Sequence, residues 1–103
     1  MNEFENIIEE LHTNGIITIR PVGGSMRGRI EDGQLVTLTK TSPDKLTIGD
    51  AVLLRWKNKL ILHLIIFTND KYFLIGNNLG KINGWVLKDD VIAKVIKVED
   101  WVV

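Results

Sequence analysis

Ser25 and His63 are the two side chains in this sequence best suited to covalent chemistry on a carbonyl group. A serine hydroxyl is a weak nucleophile at neutral pH and needs a base within reach. An imidazole titrates near neutrality, so it can take a proton and later return it. Ser25 follows Gly23-Gly24 and precedes Met26-Arg27-Gly28-Arg29-Ile30. Glycine opens backbone conformations that other residues avoid and lets a second chain come close. Ser25 could therefore be held out at a strand end as a nucleophile. The same setting suits a turn serine bonded to its own backbone. His63 lies within the apolar run 60–67, with Ile61 and Ile65 on its own side and Leu62 and Leu64 on the other. A polar ring there costs free energy unless it finds a hydrogen-bond partner. A core histidine tied to a backbone carbonyl is the structural alternative to a general base.

Composition narrows the remaining chemistry. The chain has 103 residues, which suits a single domain, 1–103, with a helix and turn at 1–15 and a β body at 16–98. Cysteine is absent, which removes disulfides, thiolate nucleophiles and sulfur-ligated metals. His12 and His63 are the only histidines, so no metal site is expected, and no cofactor. Thirteen basic and thirteen acidic residues give zero formal net charge, which argues against a general electrostatic grip on nucleic acid. The N-terminus is acidic and lacks the pattern of a signal peptide. The longest apolar run falls well short of the roughly 20 residues that span a bilayer. A soluble, cytoplasmic protein without a membrane anchor is the expectation.

The elements that must position Ser25 and His63 can be read from the periodicity. Phe4, Ile7, Ile8 and Leu11 make one apolar stripe and predict a helix over 2–12, capped by Asn2 with Glu5 three positions on and ended by Asn14-Gly15. His12, in the last turn, suits the helix C-terminus. From Ile16 the period becomes that of a strand, which Pro21 stops. Asp32-Gly33 turns the chain into a strand at 34–40, a loop follows at 41–46, and Gly49-Asp50 leads into a strand at 51–57. Lys57-Asn58-Lys59 reads as a tight hairpin connection into 60–67, which is apolar on both faces and so predicted to be central. Strands at 72–75, 85–87 and 91–98 complete the pattern, with 76–84 as a loop. The fold class is mostly β: about seven short strands and a short N-terminal helix.

Four motifs in this order carry a resemblance. Ser25-Met26, Gly49-Asp50 before a strand, His63 inside an apolar strand, and Gly76-Asn77-Asn78 before a final strand are similar to the LexA-like and signal peptidase-like clan of serine peptidases. The resemblance runs from about Ile19 to Val98. It implies a small LexA/signal peptidase-like β fold, with Ser25 as nucleophile and His63 as general base. It also implies Gly24, Met26, Asn77 and Asn78 as candidates to stabilise the oxyanion or orient the base. Asn77 stands where histidine-type relatives can carry an acid, and Gly28 stands where signal peptidases carry a proline. Only 24 residues precede Ser25, with no anchor or DNA-binding domain among them, and neither Ala51 nor Ala93 is followed by glycine. Self-cleavage in the repressor manner is therefore not expected.

The expected function is a serine peptidase acting on a peptide or protein substrate through a Ser25–His63 dyad. The alternatives are a catalytically inactive relative that binds a peptide or protein, and a regulatory module that works as a homodimer or with a partner protein. Trp56, Trp85 and Trp101 suit either a peptide groove or packing. Arg27 and Arg29 suit either an acidic partner or a solvated turn. The apolar end of the chain, 99–103, suits a sheet-edge contact, a dimer contact or fraying.

Overall fold

The computed structural model describes residues 3–101. Helix α1, Glu3–Asn14, uses the predicted stripe: Leu11 is buried and Ile7 packs beside it against the first strands. Asn2, the expected cap, lies outside the described residues. Gly15 ends the helix at φ +73°, its N–H donating to the Leu11 carbonyl at 2.9 Å.

Seven strands follow: β1 Ile16–Ile19, β2 Leu35–Lys40, β3 Ala51–Trp56, β4 Lys59–Thr68, β5 Tyr72–Gly76, β6 Ile82–Leu87 and β7 Val91–Glu99. They form one sheet in the order β1-β2-β7-β3-β4-β5-β6, with every pairing antiparallel. The strand β7 leaves the β5–β6 edge and inserts between β2 and β3, joining the two ends of the chain in one core.

Strand β3 occupies the middle of the sheet and is buried on both faces. Its alternation divides the core: Ala51 and Leu53 face one apolar cluster, Val52 and Leu54 the other. Met26 and Ile30 add to the first cluster from the long β1–β2 connection, so this loop is anchored in the core although it has no regular structure. The strand predicted to be central, β4, is interior and flanks β3. His63 pairs with Val52 in register and so lies on the side of β4 that faces the second cluster.

Two local features depart from the sequence reading. The loop predicted over 76–84 is shorter: Gly76 ends β5 and Ile82 already begins β6. A bulge explains the difference, because Ile75 pairs with Gly84 and Gly76 with Ile82, leaving Asn83 as the extra residue. The bulge breaks the period-2 pattern that would have revealed the strand. The loop predicted over 41–46 contains a single 3-10 turn, Pro43–Lys45. Among the described residues no helix is long and apolar enough to cross a membrane.

Candidate functional site: a cleft between Ser25 and His63

The connection between β1 and β2 presents Ser25 by fixing its neighbours. Met26 is 4% exposed and fills the core with a flexible, polarizable side chain, while adjacent Ser25 faces solvent. The loop turns through Arg27 N–H to Gly24 C=O at 3.2 Å and Ile30 N–H to Met26 C=O at 2.8 Å. Asp32 accepts from Gly23 N–H at 2.8 Å, and Glu31 from Gly28 N–H at 2.7 Å. Arg29 donates to the Gly49 carbonyl at 2.6 Å, tying the serine loop to the Gly49-Asp50 turn that opens β3. Among the described residues the Ser25 hydroxyl and the backbone N–H groups of Ser25 and Met26 have no hydrogen-bond partner.

Asn78, in the β5–β6 connection, locks this loop. Its backbone N–H donates to Ser25 C=O at 3.1 Å and its side-chain Nδ2 to Arg27 C=O at 2.8 Å. Gly28 makes that approach possible. It has φ +98°, a conformation closed to proline, and a Cβ there would lie 2.7 Å from Asn78 Nδ2. Asn77 has a different task. Its Oδ1 accepts from the N–H groups of Leu79 and Lys81, both at 2.9 Å, and its own N–H donates to Lys81 C=O at 2.8 Å. It closes its own loop and has no bond to His63.

His63 is 8% exposed and its ring is held by its own strand, Nδ1–H donating to the Leu62 carbonyl. That bond leaves Nε2 as the basic nitrogen. Burial lowers the pKa of His63 below its ordinary value; the Leu62 bond opposes this, and the charges of Lys59 and Lys81 add to the lowering. The lowering favours the neutral ring, the state a general base requires.

Ser25 and His63 border one cleft of about 470 Å³. Residues 19–23 and 25–26 line one part of it, residues 58–63 another, and Glu3, Phe4 and Ile7 of α1 a third. No hydrogen bond joins Ser25 to His63 among the described residues. Gly24, Asn77 and Asn78 are not among the lining residues; Asn78 acts on the site through the serine loop. None of the three tryptophans borders the cleft either: Trp56 packs at the second cluster, and Trp101 lies under the Arg20 guanidinium.

The cleft also exposes unpaired backbone. Residues Lys59–His63 pair with β3 alone, because pairing with β5 starts at Leu64 and Gly76. Ile65 exchanges bonds with Asp50 and Gly49 on the β3 side. Alternation along an antiparallel strand then directs the N–H and C=O groups of Leu60 and Leu62 away from β3, the Leu62 carbonyl being taken by the His63 ring. β1 likewise has a partner on one side only. Among the described residues no group of three or more histidine, aspartate or glutamate side chains is placed to hold a metal ion.

Sequence reasoning named Ser25 and His63 but missed the Leu62 carbonyl as the ring's partner, and the contribution of Phe4 and Ile7 to the cleft wall. The helix stripe was the available signal for the second, since so short a helix must pack on the body. No protein-family profile and no curated protein matches the chain.

Proposed function

We propose that this protein is a LexA/signal peptidase-like serine peptidase domain that cleaves a peptide bond with Ser25 and His63. The observation that carries the reading is that these two residues, distant in sequence, border the same cleft. Ser25 Oγ attacks the substrate carbonyl carbon while His63 Nε2 takes its proton. The carbonyl oxygen gains negative charge and is met by the free N–H groups of Ser25 and Met26. The C–N bond then breaks, His63 returns the proton to the leaving amine, and an ester to Ser25 remains. Water attacks that ester, losing a proton to His63, and the carboxylic acid product leaves as Ser25 recovers its proton. The Leu62 carbonyl orients the ring, a neutral substitute for the acid of a triad. An extended substrate pairs with the edge of β4 at Leu60 and at the N–H of Leu62, and backbone bonds of this kind are tolerant of sequence.

A degenerate peptide library incubated at neutral and mildly alkaline pH tests the reading. Wild type should cleave a subset, and Ser25→Ala and His63→Ala should each abolish cleavage while circular dichroism stays unchanged. No cleavage by wild type would leave the second reading, a peptide-binding relative without catalysis. That reading is favoured by the absence of a Ser25–His63 hydrogen bond among the described residues; binding without cleavage is its signature.

A further inference from the structure

The β4 wall of the cleft, residues 58–63, carries Lys59 and no acidic residue. Lys59 is exposed, borders the cleft and has no ion pair among the described residues. It shares a face of β4 with His63, and four residues at about 3.3 Å each separate them by roughly 13 Å along the strand. Lys81 is exposed in the Asn77 loop, also without an ion pair, and its charge acts on the same imidazole. Arg27 places its guanidinium over Gly24, next to Ser25, with no carboxylate partner. The ion pairs among the described residues, Lys94–Asp50 and Lys97–Glu99, involve no cleft residue. Acids also line the cleft, Glu3 of α1 and Glu31, whose carboxylate accepts from Gly28 N–H, but neither belongs to the β4 wall.

We propose that the cleft selects acidic peptides, with an aspartate or glutamate side chain brought to Lys59 within about four residues of the bond presented to Ser25. The proposal rests on the peptidase reading of the cleft and names its substrate class. A peptide laid along the free edge of β4 runs past both His63 and Lys59, so the spacing follows from strand geometry. A basic side chain at that position meets like charge.

Binding is measured on Ser25→Ala, which retains the cleft but cannot turn over. The probes are fluorescent degenerate decapeptides with one fixed position, Glu or Gln, scanned along the chain. Cleavage of the same peptides by wild type is followed in parallel. Glu peptides should bind roughly two- to fivefold more tightly for each lysine engaged. The preference should fade at about 0.5 M salt, where the screening length is only a few ångströms. It should shrink in Lys59→Gln and reverse in Lys59→Glu. Equal binding of Glu and Gln peptides, no binding of either, or a preference untouched by Lys59→Gln overturns the proposal. Selective binding of Glu peptides with no cleavage by wild type upholds acidic-peptide recognition and sinks the peptidase reading. Equal cleavage of both sets does the opposite.

Discussion

Replacing Gly28 by alanine should loosen the serine loop by an amount that its geometry sets. Gly28 has φ +98°, and a Cβ built on it falls 2.7 Å from Asn78 Nδ2. Two costs add. Holding a residue with a Cβ in a left-handed conformation costs roughly 1–2 kcal/mol. Relieving the close contact pushes the Asn78 amide off the Arg27 carbonyl, which it now reaches at 2.8 Å. A lost hydrogen bond of this kind costs about 0.5–1.5 kcal/mol. Gly28→Ala should therefore lose roughly 1.5–3.5 kcal/mol in urea unfolding, with Tm lower by about 6–28 °C for a domain of this size. A cycle with Asn78→Ala separates the two contributions. With the Asn78 side chain gone, Gly28→Ala should show only the backbone cost, giving a coupling of about 1 kcal/mol. A loss below about 0.5 kcal/mol, or the same loss with and without the Asn78 side chain, would mean that Asn78 does not brace the serine loop across Gly28.

Two further outcomes follow from the site and its hairpin. The pKa of His63 is lowered below its ordinary 6.5, chiefly by burial, so the unfolded chain binds the proton more readily than the folded one. Stability should then be nearly level well above pH 6.5 as far as this group is concerned and fall as pH drops below it, and any cleavage should be lost only with a midpoint below 6.5. Titration of the His63 ring by NMR, with urea unfolding across the same range, checks both; a midpoint above 6.5 would contradict the assigned burial. The β3–β4 hairpin turns on Lys57 and Asn58, at φ +48° and +67°. Asn-Gly suits such a turn better, so Lys57→Asn with Asn58→Gly should raise stability by about 0.5–1 kcal/mol in the same unfolding assay.

The sequence made local order legible where a single period ran unbroken. The stripe Phe4, Ile7, Ile8, Leu11 marked α1, and Asn14-Gly15 marked its end. The doubly apolar run around His63 marked an interior strand. Strand β6 was only half visible, since Asn83 and Gly84 interrupt its alternation at a bulge. The insertion of β7 between β2 and β3 was not legible at all, because no local pattern records which distant edges pair. The same limit applied to the site. Glycines and a buried methionine around Ser25 announced an unusual loop, yet its braces come from Gly49 and Asn78, remote in sequence. Asn77 illustrates the reverse: its type and place suggested a partner for His63, and its side-chain oxygen instead closes the loop through Leu79 and Lys81. A backbone carbonyl, invisible to residue-type reasoning, holds the ring.

Acylation of Ser25 by a para-nitrophenyl ester tests most directly whether His63 activates the serine. The hydroxyl attacks the ester carbonyl, para-nitrophenolate departs, and the adduct is weighed by intact mass and located by peptide mapping. The account predicts a single acyl group on Ser25, formed at a rate that rises with pH through a midpoint below 6.5 and lost in both Ser25→Ala and His63→Ala. An unmodified Ser25, or one acylated equally fast after His63→Ala, would contradict it.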